Sequence, residues 1–236
     1  MHALVIIPTY NEKENIAAII NAVVGLNAGY ELLIIDDGSP DGTAAIVQQL
    51  QATLPQLYLL QRTGKLGLGT AYIAGFKWAL ERNYDYVFEM DADFSHKPQD
   101  LPRLLAACQA NDAGLAVGSR YVKGGKVVNW PIGRILMSYF GSVYVRCILW
   151  INIKDTTAGF KCYARKTLLA LPLNEIQFTG YAFQIEMKYR TLCKGFKIVE
   201  VPIVFEDRKL GTSKMGSSIF KEALIGVLKL RFQKMN

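Results

Sequence analysis

The sequence predicts an α/β fold: a single open, doubly wound, mostly parallel sheet flanked by helices. Three observations predict it. Strand-like and helix-like runs alternate through the first half of the chain, the order that builds a parallel sheet with helices on both faces. The strand-like runs are apolar on consecutive residues, as buried parallel strands are. The unusual polar clusters "PTYNE", "DDGSPDGT" and "DAD" each follow such a run, at the edge where these sheets hold ligands.

The elements follow in order. "ALVIIP" is a short β-branched strand. "NEKENIAAIINAVVGL" turns helical, with Asn11 and Glu14 as a capping-box pair and Ile16, Ile19, Ile20, Val23 and Val24 at helical spacing. "YELLIID" is the next strand and "DGSPDG" is dense turn chemistry. "TAAIVQQLQATL" reads as helix, "LYLLQR" as strand, "GTAYIAGFKWALER" as helix, and "YDYVFEM" as strand. "QDLPRLLAACQA" is helical and "AGLAVGSR" extended. Beyond residue 120 the pattern loosens into "GGKVVNWPIGRILMSYFGSVYVRCILWINI", long and aromatic, broken by Arg134 and Arg146. "GFKCYARKTLLAL" and "FKIVEVPIVFED" resume mixed structure around the helical "YAFQIEMKYRTLCK", and "IFKEALIGVLKLRFQK" closes the chain. No linker, repeat or low-complexity segment interrupts it, so one domain over residues 1–236 is expected.

Composition narrows the function. A net charge of +7 points to an anionic partner. Nucleic acid is not expected, because the basic residues form no helix stripe with stacking aromatics. Cys108, Cys147, Cys162 and Cys193 are widely spaced, without a C-x-x-C pair, which suits a reducing compartment. The apolar run near the start is too short, and lacks the basic leader, for a signal peptide. No stretch reaches 18 uncharged apolar residues, so no spanning helix is expected.

Asp91 and Asp93 in "DADFSHKP" carry the sharpest chemistry. On an extended chain residues i and i+2 point to the same side, so the two carboxylates would crowd together unless a cation lies between them. A hard divalent ion held by one or two carboxylates and substrate phosphates fits, with Mg2+ or Mn2+ the candidates.

"VIIPTYNEKENI", "IIDDGSPDGT", "KLGLGTAYIAGFKWA", "MDADFSHKP", "VGSRY", "TAGFKCYARK" and "VPIVFEDRKLGTSKMG" occur in that order. Together they strongly resemble the polyprenyl-phosphate (dolichyl-phosphate) mannosyltransferases of the family 2 inverting glycosyltransferases. The resemblance implies a GT-A fold with a nucleotide-binding half (1–120) and an acceptor-binding half (121–236) ending in an amphipathic helix. It implies transfer of mannose from GDP-mannose to a polyprenyl phosphate, giving a β-linked product. UDP-glucose or another sugar nucleotide stays open as donor, since no motif reads the sugar's stereochemistry. A noncatalytic sugar-nucleotide-binding protein is disfavoured by the intact Asp91, Asp93, Arg208 and Lys214.

Site residues carry over by position. Pro8, Tyr10, Glu12, Ile35 and Asp37 would cradle base and ribose. Asp91, Ala92 and Asp93 would contact the sugar nucleotide, with Asp91 and Asp93 as metal ligands. Arg120, Arg208 and Lys214 would face phosphates, and Arg120, Arg134 and Ser138 the acceptor phosphate. Some relatives carry Gln as a further metal ligand where Ser95 stands here. A phosphate acceptor needs no general base, because its second pKa near 6 leaves it largely dianionic at pH 7.

The remaining features have plainer readings. "GKLGLG" is expected to be a mobile loop near the nucleotide. Asp155 either orients the acceptor site or caps a turn. Of Gln184 and Glu186 one member could be merely exposed, Trp130 and Trp150 are expected to pack, and His96 to be structural. The lipid acceptor implies a cytosolic enzyme peripheral to a membrane. Two stretches could dock it there: "WPIGRILMSYFGSVYVRCILW", and a terminal helix with Ile219, Phe220, Ala223, Leu224, Val227 and Leu228 on one face flanked by basic residues. A separate membrane-anchoring subunit, as in three-part members of that family, is the other route.

Overall fold

The computed structural model of the chain describes residues 2–207 and 218–233. Nine strands and eight helices alternate within them: β1 (Ala3–Thr9), α1 (Ile16–Val24), β2 (Tyr30–Asp36), α2 (Thr43–Gln51), β3 (Leu57–Gln61) and α3 (Leu68–Glu81). Then come β4 (Tyr86–Glu89), α4 (Leu101–Ala110), β5 (Leu115–Ser119), β6 (Lys126–Val128), α5 (Ile132–Leu149), β7 (Lys161–Ala164) and α6 (Arg165–Ala170). The last are α7 (Tyr181–Cys193), β8 (Ile198–Pro202), β9 (Val204–Glu206) and α8 (Ser218–Phe232).

The seven-stranded sheet has the order β3-β2-β1-β4-β7-β5-β8. Only β7 runs antiparallel, inserted between β4 and β5, so the mostly parallel expectation holds. β6 and β9 form a small parallel pair beside it. The sheet is buried on both faces, which is why its strands read as unbroken apolar runs. On one side Val5, Ile7, Leu32 and Ile34 pack against Ile16, Ile19 and Ile20 of α1 and Leu101 and Leu104 of α4. On the other, Leu4, Ile6, Leu33 and Ile35 meet Tyr72 and Phe76 of α3 and Phe183 and Met187 of α7. A Cβ on Gly75 would lie 2.7 Å from Ile6 and 2.9 Å from Ile35; glycine lets α3 seat on the sheet.

The chain reverses direction across the sheet between β1 and β4, a topological switch point of the kind that opens a crevice at the strands' carboxyl ends. α5 and α8 share a separate small core of Val145, Leu149, Val227 and Leu230, with Ile185 of α7 beneath them.

One local expectation fails. Asn11 and Glu14 do not cap α1, which begins at Ile16. Asn11 adopts φ +55°, and its N–H donates to the Ser39 hydroxyl at 3.0 Å while that of Glu12 donates to Thr43 Oγ1. The partners come from the loop after β2 and the first residue of α2, so a tertiary contact displaces the local capping pattern.

Candidate active site

A cleft of about 440 Å³ opens over the carboxyl ends of β1, β2, β4 and β5. Its lining includes Pro8, Tyr10, Glu12, Asp37, Asp91, Ala92, Asp93, Arg120 and Arg134. These nine sequence-predicted residues, spread over 127 positions of chain from Pro8 to Arg134, thus meet in one place. Ile35 does not: it lies inside β2, its side chain fully buried in the core against α3, whereas Asp37 follows the strand's last residue, Asp36, and reaches the cleft. Ser138 lies one helical turn beyond Arg134, against Tyr121 and outside the cleft lining. Arg208 and Lys214 fall outside the described residues.

One end of the cleft is built on braced carboxylates. Asp37 receives Nε and Nη2 of Arg62 at 2.7 and 2.8 Å, a bidentate fork that fixes its plane. Asp36, wholly buried, accepts from Thr9 Oγ1 and from the Ser39 N–H, tying the β1 and β2 ends together. Glu12 accepts from Asn15 Nδ2 at 2.9 Å. Lys65, in the "GKLGLG" loop, lies 5.1 Å from the Tyr10 ring centroid, so that loop forms cleft wall between β3 and α3.

The D-x-D segment is a turn, not a strand. β4 ends at Glu89, and Phe94 turns the chain with φ +61°. The two carboxylates reach the same cleft through that turn and not through the pleat. Asp93 is buried and its Oδ1 accepts both the N–H and hydroxyl of Ser95, at 3.1 and 2.6 Å. Ser95 thereby orients a carboxylate. Asp91 is more open, its side chain 40% exposed. His96 Nδ1 accepts the Asp91 N–H at 3.1 Å, and its ring stacks on Phe160 and meets Phe205 edge-on. Burial brings the imidazole pKa down to about 4, against the pull of Asp93. A neutral His96 is therefore a structural acceptor that shapes the turn, as expected. Among the described residues no group of three or more acidic, Cys or His side chains could hold a metal by itself, so a hard cation at this pair would take its remaining ligands from substrate oxygens.

Another part of the cleft lining is cationic and aromatic. Arg120 donates Nε to Asp155 Oδ2 at 2.7 Å, Nη2 to Asp155 Oδ1 at 2.6 Å and to Thr157 Oγ1 at 2.8 Å. Asp155 is fully buried; burial alone would raise its pKa, but Arg120 holds it below the usual carboxylate value. Glu200 accepts the Lys154 and Asp155 N–H groups. Asp155 thus aims Arg120. Arg134 stacks 3.9 Å from the Trp130 ring centroid and pairs with Asp207. Trp130 and Asp207 both line the cleft. Trp150, expected to pack, is 81% exposed and carries Arg231 over its ring.

Beneath the cleft α7 is buried from Ala182 through Lys188, which leaves neither Gln184 nor Glu186 exposed. Glu186 accepts the Gln177 and Phe178 N–H groups and the Arg190 Nε. Lys188 Nζ donates to the carbonyls of Thr156 and Ala158, which brace the segment that carries Thr157. Burial first, with Lys161 adding to it, drives its pKa well below the usual lysine value. Sequence reasoning missed Arg62, Thr157 and Asp207; the signal for the α7 trio was polar residues on a helix with no polar face.

α5 corrects another expectation. With 18 residues and mean hydropathy 1.3, it is long and apolar enough to cross a membrane by length and composition, although two arginines interrupt it. Only 17% of it is buried. Ile132, Leu136, Met137, Tyr139 and Phe140 stand exposed, as do Leu224, Ile225, Leu228 and Phe232 of the adjoining α8. Among the described side chains of α8 the buried hydrophobic ones are Val227 and Leu230, so Val227 turns away from Leu224 and Leu228; Ile219, Phe220 and Ala223 lie outside the described side chains.

Comparison with known proteins adds the following. The model of the family described as "Glycosyl transferase family 2" matches residues 4–170. An undecaprenyl-phosphate mannosyltransferase of Micrococcus luteus is 48% identical over 227 residues, covering 96% of this chain and 93% of that one. A polyprenol monophosphomannose synthase of Mycolicibacterium smegmatis is 47% identical, covering 95% and 84%. In architecture, glucosyl-3-phosphoglycerate synthase of Mycobacterium tuberculosis, solved with Mn2+, UDP-glucose and phosphoglyceric acid, superimposes with a TM-score of 0.71 at 17% identity, over 98% of this chain and 79% of that one. A mannosyltransferase of Pyrobaculum calidifontis, solved with GDP-mannose and Mn2+, gives 0.58 at 17% identity, over 97% and 69%.

Proposed function

Because the chain belongs to glycosyl transferase family 2 and has the GT-A fold, and is therefore a glycosyltransferase, we propose that it moves mannose from GDP-mannose to a polyprenyl phosphate with inversion to a β-linked product. The observation that carries this reading is one cleft lined both by a carboxylate turn, Asp91 and Asp93, and by the cations Arg120 and Arg134. The first suits a metal-bound diphosphate and the second a phosphate nucleophile. The names of the two relatives at 48% and 47% identity support the acceptor and the sugar.

Asp93 and Asp91 would hold Mg2+ or Mn2+, with the donor diphosphate supplying further oxygens. When bound, the ion neutralises charge on the departing nucleoside diphosphate. The chain's own part is positioning. Tyr10, Glu12 and the Arg62-braced Asp37 receive the nucleoside. Arg120, immobilised by Asp155, forms a fixed positive wall in the cleft. Arg134, at the first turn of α5, receives the acceptor phosphate. That dianion attacks the anomeric carbon without surrendering a proton, so the carboxylates of the cleft serve binding.

The exposed apolar residues of α5 and α8 support docking on a membrane surface, with the lipid's polyprenyl chain in the bilayer and its phosphate at Arg134. We assign the reaction to the cytosolic face, a reading supported by four cysteines that are all free thiols. A membrane-anchoring subunit is the alternative. The test is incubation with labelled GDP-mannose, GDP-glucose, UDP-glucose and UDP-N-acetylglucosamine beside a short polyprenyl phosphate. Label from GDP-mannose should enter the lipid fraction as a β-anomer; preferential transfer from a uridine nucleotide overturns the donor assignment.

A further inference from the structure

We infer that Thr157 is a phosphate ligand of the cleft, its hydroxyl donating to a phosphate oxygen beside Arg120, an assignment that rests on the reading above and deepens it. Thr157 lines the cleft and is partly exposed, whereas Arg120 beside it is buried. Arg120 Nη2 lies 2.8 Å from Thr157 Oγ1. A guanidinium has donors and no acceptor, so the threonine oxygen accepts and its own O–H hydrogen is not spent on that bond. Among the described residues the Arg120 bond is the one hydrogen bond of that hydroxyl. The backbone that presents it is anchored on both sides. Lys188 Nζ, on a fully buried side chain, donates to the carbonyls of Thr156 at 3.0 Å and Ala158 at 2.7 Å. Thr156 and Ala158 are buried, and Thr157 between them is not.

What the hydroxyl meets follows from its surroundings. The Arg120 guanidinium carbon lies 5.5 Å from the Trp130 ring centroid, and that of Arg134 lies 3.9 Å from the same ring. Two cations therefore share this part of the lining. A metal ion is repelled there, and an uncharged hydroxyl gains little from the field. A phosphate oxygen gains from both charges and takes hydrogen bonds from N–H and O–H donors alike. Accepting from a cation also polarises the Thr157 O–H and strengthens it as a donor. The reaction brings two sources of phosphate to the cleft, the acceptor and the donor diphosphate, and the chemistry that recognises them is shared.

The test is calorimetry on the full chain, with GDP and separately with a short polyprenyl phosphate in detergent. Thr157→Val should weaken one of the two by roughly 10- to 100-fold, the scale of one hydrogen bond to a charged group, and leave the other within about twofold. Loss confined to the polyprenyl phosphate identifies the acceptor phosphate, and loss confined to GDP the donor diphosphate. Thr157→Ser keeps the hydroxyl and should stay within about threefold of wild type on both. Loss on both ligands, loss on neither, or an equal loss in the serine variant overturns the assignment. Arg120→Lys separates contact from support. Lysine keeps a charge against Asp155 but lacks the fork that reaches Thr157, so adding Thr157→Val to it should cost a further factor of about ten. No further loss would make Thr157 only a brace for Arg120 and overturns the assignment as well. Thr157→Ala takes the place of the valine variant if that one does not fold. Wild type that binds GDP but no polyprenyl phosphate overturns the acceptor reading itself, a result that needs no variant.

Discussion

Arg134 donates from one nitrogen to both carboxylate oxygens of Asp207, at 3.1 Å each, while its guanidinium carbon lies 3.9 Å from the Trp130 ring centroid. The pair joins the first turn of α5 to the end of β9 across the cleft wall. Both side chains remain about 30% exposed, so the pair contributes at most about 1 kcal/mol to stability. Its importance is the placement of a charge.

Arg134→Ala should therefore fold normally and lower kcat/KM for polyprenyl phosphate by about 100-fold, the loss of charge-assisted bonds to a phosphate. GDP affinity should be nearly unchanged. Calorimetry with GDP decides the matter: affinity lost alongside turnover would move Arg134 to the donor side.

Asp155→Asn should do the reverse, costing stability first. Removing one partner of a buried ion pair costs about 3–5 kcal/mol, readable in urea unfolding. The pH dependence has a definite sign. The folded Asp155 pKa is depressed, so its stabilisation is complete above about pH 4 and is lost as pH falls through the lower folded value. The variant should show a shallower acid limb than wild type; equal steepness would remove Asp155 from the account.

Metal removal tests the carboxylate turn. EDTA should silence wild type until Mg2+ or Mn2+ is restored, and Asp93→Ala should reduce turnover by at least about 1000-fold, on the scale of a lost transition-state electrostatic group. Full activity in EDTA would sink the metal assignment.

Flotation tests the docking surface. The chain should rise with anionic liposomes, more at low than at high salt. Phe140→Glu combined with Phe232→Glu should cut the bound fraction about tenfold or more, since each phenylalanine buries roughly 1.5–3 kcal/mol of apolar surface. A chain that floats with neither anionic nor neutral vesicles makes the anchoring subunit the better account.

Much of the sheet was legible because buried parallel strands must be apolar on both sides. β2 spans the same Tyr30–Asp36 read from "YELLIID". The D-x-D turn was legible as chemistry but not as geometry, since the i, i+2 argument assumes a strand that has already ended at Glu89. Asn11 misled for a related reason: its capping potential is local, whereas its N–H is claimed by Ser39, 28 residues away. Ile35 stands two residues before Asp37 yet is buried in the core, because β2 ends at Asp36 between them, a boundary that a motif does not mark. Arg134 hid the length of α5, because counting charges along a sequence cannot show that this side chain leaves the helix to reach Asp207. Gln184 was visible only as a polar residue among apolar ones; its meaning depends on Glu89, 95 residues earlier.

α5 starts at the cleft, with Arg134 in its first turn, and ends at Trp150 about 27 Å away at 1.5 Å per residue. A helix of that reach lying along the headgroup layer changes what concentration means for the enzyme. The nucleotide still arrives by three-dimensional diffusion through water, but the other substrate arrives by lateral diffusion within a sheet of lipid. Turnover would then follow the mole fraction of polyprenyl phosphate in the surface, and diluting the vesicles at constant lipid composition would leave the rate per bound enzyme unchanged.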